Sequence, residues 1–328
     1  MEKAFSPRGD ISPEQFSIWI LLNFIVFRKA EYFRTQSIKT KRMTTRDVIV
    51  SQVIKSGNCR MFDLGTPENI GNLRKFHNWI KLSLIKTSCD FLNAENLLDI
   101  GVGRGGDIQK WAKTTLKNVM GIDSDEKSIN ESILFDGAVT RYNNLKGKMN
   151  LPHCRFEEIS AIDPRSFELL NDKDKCTIYD IVSCQFSFHY FVKDIDIVLN
   201  LVSSKLKSGG LFIGTASDGD LIKLNLKEGD ISTPLLEIVK KSDDEYTYVL
   251  KSGNTTREQN RTYFEVNGAS NEYFLHKEYF ISKCSQYNLE LINTFNFHEW
   301  KKRYQGKELS SQEAMASFLN FSFVFKKI

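Results

Sequence analysis

The run Leu97-Leu98-Asp99-Ile100-Gly101-Val102-Gly103-Arg104-Gly105-Gly106-Asp107 decides the architecture of this chain. A short apolar run bounded by glycine reads as a buried strand, and the glycines after it permit a tight turn with close backbone approach to a ligand. Gly101, Gly103 and Gly106 meet the GxGxxG spacing. About 20 residues further on, at the end of a second apolar run, Asp123 is placed to accept both ribose hydroxyls of a bound nucleoside. Strand, glycine turn, helix, strand and acid in that order point to a nucleoside-containing ligand, and a dinucleotide such as NAD meets the same pattern.

Upstream, Leu73, Phe76, Ile80 and Leu84 recur at spacings of three and four, which predicts a helix from Asn69 to about Lys86. Arg74, His77, Asn78 and Lys81 form a second, polar stripe on the same period. Downstream, strands are predicted near 118–123, 154–159, 178–184 and 210–215 with helices between them, the signature of a mostly parallel sheet covered on both faces. Beyond residue 217 the pattern changes. Glu245 to Leu250 and Arg261 to Val266 are β-rich and separated by the turn-prone Ser252-Gly253-Asn254; a helix near 276–287 and strands near 289–295 and 320–326 follow. The sheet is therefore expected to end in antiparallel pairing.

Residues 1–67 precede the first strand and are read as a helical, basic extension, with the main domain at 68–328. Ser12-Pro13-Glu14-Gln15 reads as a capping box opening one helix, and a second runs from about Thr45 to Gly57. Between Arg28 and Arg46 seven basic residues face one acid, Glu31. Such a run is able to follow an RNA backbone by charge neutralisation, and a solvated face or a linker is the competing reading.

Across 328 residues, 41% hydrophobic and 26% charged content is ordinary globular composition, which argues against disorder and against a membrane protein. The most apolar segment, Phe16 to Phe27, is interrupted by Asn23 and shorter than the roughly 20 residues a bilayer requires; Arg28 and Lys29 stand where a signal-peptide cleavage site would need small residues. The six cysteines contain no CxxC pair and the five histidines no ligand spacing, so neither a disulfide framework nor a metal site is expected.

Two residues separate the candidate ligands. Asp99 sits two residues before the first glycine, which resembles the position where methyltransferases commonly carry an acid that meets the ammonium of S-adenosylmethionine. Beside a pyrophosphate it would be repulsive, and the charge of Lys81 suits the carboxylate of the same amino-acid moiety.

Four blocks in order then resemble the mRNA cap guanine-N7 methyltransferases over residues 69–328. They are Leu73-Arg74-Lys75-Phe76-His77-Asn78-Trp79-Ile80-Lys81, the glycine run with Lys110-Trp111, Tyr179-Asp180-Ile181-Val182-Ser183-Cys184-Gln185-Phe186-Ser187-Phe188-His189-Tyr190, and Gly209-Gly210-Leu211-Phe212-Ile213-Gly214-Thr215 with Asn271-Glu272-Tyr273 further on. Within that family the chain is similar to the methyltransferase domain of capping enzymes from large cytoplasmic DNA viruses, of the African swine fever virus type. The resemblance implies a Rossmann-like class I methyltransferase fold, an α/β architecture with a mostly parallel seven-stranded sheet and an antiparallel terminal strand. It implies that Lys81, Asp99, Gly101, Gly103, Asp123, Ser160 and Gln185 hold S-adenosylmethionine, that His189 and Tyr190 lie between cofactor and cap and contact the guanine, and that Glu272, with Asn78, contacts it as well. Capped RNA is the implied substrate and triphosphatase and guanylyltransferase domains in the same or a partner chain the implied company; the viral resemblance implies the cytoplasm, with packaging in the virion open, and without it an intracellular place is expected. The chain departs from the family in three places. Ser160 stands where an aspartate usually meets the adenine amino group, Ala216 follows Thr215 where proline is usual, and Asn320 and Phe321 occupy the region of an expected tyrosine.

Guanine N7 carries a free lone pair, so its methylation needs no general base, and no nucleophile-base triad or catalytic carboxylate pair occurs in the motifs. A cap 2′-O-methyltransferase, which must help a hydroxyl lose its proton, is the enzymatic alternative; a non-catalytic RNA-binding or stimulatory module is the other.

Overall fold

The computed structural model describes residues 71–133, 136–174, 178–250 and 270–328. The extension assigned to 1–67, the basic run, and the expected strand at Arg261 to Val266 with the turn before it lie outside the described residues. In chain order the elements are α1 (Gly71–Leu92), β1 (Asn96–Ile100), α2 (Ile108–Trp111), β2 (Asn118–Asp123), α3 (Glu126–Asn130), α4 (Ala138–Lys146), β3 (His153–Glu158), α5 (Ser166–Lys173), β4 (Tyr179–Gln185), α6 (Ile195–Lys205), β5 (Leu206–Ser217) and α7 (Gly219–Asn225). There follow β6 (Ile231–Ser232), β7 (Leu236–Lys240), β8 (Glu245–Leu250), β9 (Ser270–Tyr273), α8 (Lys277–Gln286), β10 (Leu289–Asn296), α9 (Phe297–Lys301), α10 (Ser311–Phe318) and β11 (Asn320–Lys327).

Seven strands form one sheet in the order β10-β11-β5-β4-β1-β2-β3. Only β11 runs against its neighbours, pairing antiparallel with both β10 and β5. The expected mostly parallel sheet with an antiparallel terminal strand is thus observed. Strand β1 sits in the middle, with Asp99 beside Gly121 of β2 and Ser183 of β4. Its side chains alternate as a strand's must: Leu98 and Ile100 enter the core shared with α6 and α8, and Leu97 enters the core beneath α1. Asp99 therefore points to the α1 face. Asp180 of β4 braces the start of β1 by accepting the Glu95 and Asn96 N–H groups at 2.8 and 2.9 Å.

The helix predicted from 69 to 86 runs further, to Leu92, and ends at Asn93 with φ +49°, a left-handed stop that asparagine tolerates. Among the described residues no helix is long and apolar enough to cross a membrane. The strand predicted at 210–215 is also longer than its apolar run, because its far end pairs with Asn320 and Phe321.

Between β5 and α8 the chain builds a second, antiparallel sheet, β6-β7-β8-β9, whose core takes Leu73 from α1 and Ala316 and Leu319 from around α10. Strand β8 belongs to this sheet rather than to the main one. It brings β9 against the turn that follows β4.

Glu313 fastens the start of α1 to α10. Its carboxylate is buried and accepts the Leu73 N–H at 2.9 Å and the Ser310 N–H at 3.0 Å. Leu73 lies in the first turn, whose N–H groups have no intrahelical acceptor, so this contact satisfies a donor that helix geometry leaves open. Replacing Glu313 by Ala should lower the unfolding free energy by about 1–3 kcal/mol, and by less in Glu313→Gln. Urea denaturation of the two variants checks this; equal stability of Glu313→Ala and wild type would contradict it.

Candidate active site

Gly101 turns the chain back over the end of β2, its N–H and that of Val102 donating to the Ile122 carbonyl at 2.9 and 3.1 Å. Its φ of +71° lies in the left-handed region, and a Cβ there would stand 2.4 Å from Ser187 Oγ. Glycine is therefore required twice over, by backbone and by space. Gly103 N–H donates to Asp123 Oδ2 at 2.8 Å, and Asp125 N–H to Oδ1 at 3.0 Å. Burial pushes the Asp123 carboxyl up, and these backbone donors oppose the shift. The Ile159 N–H donates to the Asp123 carbonyl at 2.9 Å, so Ser160 comes to rest beside the same edge.

Behind the loop lies a buried ionic group. Asp107 is contacted by Lys81 at 2.8 Å and by Lys110 at 2.7 Å. Burial would raise its pKa, but Lys81 and Lys110 outweigh that and hold it down to about 2. Asp99, 3% exposed, has no such partner among the described residues, and its Oδ1 accepts no hydrogen bond from them. Burial, and then the charge of Asp107, push its carboxyl up to about 8, against the opposing pull of Ser183, Lys81 and Lys110. Asn78 accepts from Lys110 at 2.7 Å and so stands with the glycine loop.

The second group gathers at the ends of β4 and β5. Gln185 is tied at both ends, donating to Ser183 Oγ and accepting from Thr215 Oγ1, each at 3.2 Å. Phe186 follows in a left-handed conformation, φ +58°, stacked on His77 with ring centres 5.2 Å apart. The chain then winds through a 3₁₀ turn, Phe188–Tyr190. The Ser217 N–H donates to His189 Nδ1 at 3.4 Å, which places the proton of the neutral ring on Nε2, 3.6 Å from Glu272 Oε2. Burial lowers the His189 pKa despite the opposing charge of Glu272, so the ring is neutral at pH 7. Burial, and then Glu272, raise the Tyr190 phenol.

Glu272, 2% exposed, is the centre of this group. It accepts from Tyr246 Oη at 2.7 Å, Ser217 Oγ at 3.1 Å and Ser270 Oγ at 2.9 Å. A buried carboxylate with three hydroxyl donors is an oriented acceptor held ready for further donors. A hydrogen bond from Ser187 Oγ to the Gly101 carbonyl, 3.3 Å, joins the two groups.

The structure thus assembles Asn78, Lys81, Asp99, Gly101, Gly103 and Asp123 around the loop, with Ser160 next in chain to Ile159 at the Asp123 edge, and Gln185, His189, Tyr190 and Glu272 beside them. Asn78 is bound into the first group, not into the Glu272 group. Sequence reasoning missed Tyr246, Ser217 and Ser270, which orient Glu272, and gave Lys110 no function of its own. The one available signal for Tyr246 was its place in an alternating strand, Glu245–Leu250, with every second residue buried.

Residues 65–320 match the mRNA (guanine-N(7))-methyltransferase domain family. The chain is 33% identical over 178 residues to the "Probable mRNA-capping enzyme" of Acanthamoeba polyphaga mimivirus, covering 48% of this chain and 15% of that protein. It is 30% identical over 241 residues to the mRNA cap guanine-N(7) methyltransferase of Caenorhabditis briggsae, covering 69% of this chain and 60% of that one. The chain thus spans less than two thirds of the length of these relatives. In fold it is similar to an S-adenosylmethionine-dependent methyltransferase from Clostridium acetobutylicum, with a TM-score of 0.50 and 14% identity over 76% of this chain and 91% of the other.

The raised pKa of Asp99 makes stability fall with pH. Its carboxyl keeps its proton up to about pH 8 in the folded protein but loses it near 3.8 in the unfolded chain. Between those values the folded state binds more protons, so this group's contribution is full below about pH 4 and lost by about pH 8. Asp99→Asn should remove up to about 1.4 kcal/mol per pH unit of that decline. Denaturation of wild type and variant across pH 4–8 checks it, and parallel curves would refute it.

Proposed function

The chain belongs to the mRNA (guanine-N(7))-methyltransferase family, and from that footing we propose that it transfers a methyl group from S-adenosylmethionine to N7 of the guanine capping an RNA 5′ end. The observation that carries the reading is the meeting of a buried, hydroxyl-oriented Glu272 with His189 and Tyr190 directly beside the Asp99 and glycine-loop group.

The cofactor site fits its ligand. Asp99 has a buried oxygen without a partner among the described residues, suited to an ammonium; Lys81 suits a carboxylate; Asp123 suits ribose hydroxyls; and at Gly101 the loop has no room for a side chain. When bound, S-adenosylmethionine supplies an electrophilic methyl group on its sulfonium.

The residues around it position rather than transfer protons. His189 has its Nδ1 lone pair taken up by the Ser217 N–H and its ring proton on Nε2, so neither nitrogen offers a free lone pair to a substrate proton. Glu272 is placed to accept from guanine N1–H and the exocyclic amine, a donor pair adenine lacks, and a polar site rejects a base that leaves its acceptor unpaired. The same negative charge favours the positive charge that grows on the guanine ring. Holding N7 in line is worth up to about 7–11 kcal/mol in well-oriented systems, and this site has the buried, fixed side chains that such alignment needs. Triphosphatase and guanylyltransferase domains in the same or a partner chain, and a cytoplasmic place of action, complete the proposal.

Asp123→Ala should weaken S-adenosylmethionine binding by about 1.5–3 kcal/mol, the worth of a charge-assisted hydrogen bond; calorimetry with unchanged affinity would remove the ribose assignment. Glu272→Gln keeps the shape but loses the charge. It should cut methylation of GpppA-capped RNA by at least about a hundredfold while cofactor affinity stays nearly constant, and wild-type turnover in that variant would dismiss Glu272 as the guanine anchor.

A further inference from the structure

Asp107 is shared by two lysines that are not equivalent. Lys110 meets three different acceptors, Asp107 at 2.7 Å, Asn78 Oδ1 at 2.7 Å and the Gly106 carbonyl at 2.9 Å. Two hydrogen bonds and an ion pair thus hold the Lys110 ammonium where it stands. Lys81 reaches over from α1 and, among the described residues, meets Asp107 alone, Oδ1 at 2.8 Å and Oδ2 at 3.1 Å. Its ammonium also lies at the loop surface, 4.0 Å from where a Cβ on Gly106 would be.

This asymmetry bears on an electrostatic difficulty. If Lys81 is to meet a ligand carboxylate, it must loosen its hold on Asp107, and Asp107 is buried, so leaving it without a partner would be strongly unfavourable. We propose that, on the reading that this site takes S-adenosylmethionine, Lys110 is the standing counter-ion of Asp107 that releases Lys81 to the ligand's carboxylate. Lys110 is a positioning residue: it shares Asp107 Oδ1 with Lys81 and acts through Lys81. The depressed pKa of Asp107 agrees with a carboxylate that stays ionised in either arrangement.

The test compares two ligands by calorimetry. S-adenosylhomocysteine carries the amino-acid carboxylate; 5′-methylthioadenosine has the same nucleoside and sulfur without it. Lys110→Gln keeps a donor for Asn78 and Gly106 but removes the charge. It should weaken S-adenosylhomocysteine about tenfold and leave 5′-methylthioadenosine within about twofold of wild type. In a Lys81→Met background the same change should have no further effect on S-adenosylhomocysteine. Lys110→Arg, which keeps the charge, should retain the wild-type ratio of the two affinities and serves as the second variant should Lys110→Gln fold poorly. Equal weakening of both ligands would overturn the proposal, since Lys110 would then only support the loop, and so would unchanged affinity for both. Failure of the wild-type protein to bind either ligand would remove the cofactor reading itself, and the proposal with it.

Discussion

The constraint on which this molecule turns is the reversal of strand order at β1. Chain growth from β1 proceeds through β2 and β3 to one side, then returns to add β4 and β5 on the other. The carboxyl ends of β1 and β4 therefore lie side by side with their following loops diverging, which opens a crevice at the switch point of a parallel sheet. Each functional group described above is reached from that crevice: the glycine loop leaves β1, Asp123 ends β2, and the Gln185 to Tyr190 turn leaves β4.

Two buried carboxylates at this crevice are given different fates by their surroundings. Asp107 is bound by two lysines and remains charged; Asp99, on the same face and with one oxygen unsatisfied, keeps its proton until about pH 8. A third, Glu272, reaches the crevice from the second sheet and is held by three hydroxyls instead of cations. Hydroxyl donors fix its direction while leaving its charge uncompensated, which is the property required of a group facing a base that becomes positive. The second sheet thus contributes chemistry as well as a cover.

Much of this was legible in the sequence because it is local. The glycine run fixes its own turn, the apolar periods mark α1 and the central strands, and Asp123 follows from the end of a strand. The roles of His189, Tyr190 and Glu272 came from resemblance, and the structure brings these residues together. What stayed hidden depends on contacts between distant segments. Strands β6 and β7 are short, and β6 has only Ile231–Ser232 to announce it. Tyr246 meets Glu272 only through the register of β8 against β9, which no local pattern specifies. Lys110 is a residue type usually found at the surface, and its burial depends on Asn78 from another helix. The capping box at Ser310 and Glu313 appears only in the structure, and its tie to Leu73 depends on a segment far away in the chain.

The central claim is that this crevice aligns guanine N7 with a methyl donor without deprotonating anything. The most direct measurement is incubation of GpppA-capped RNA with methyl-labelled S-adenosylmethionine, followed by nuclease digestion and identification of the labelled cap nucleotide. All label should appear on guanine N7. Label on a ribose 2′-oxygen, or no transfer by a protein that binds the cofactor, would contradict the account.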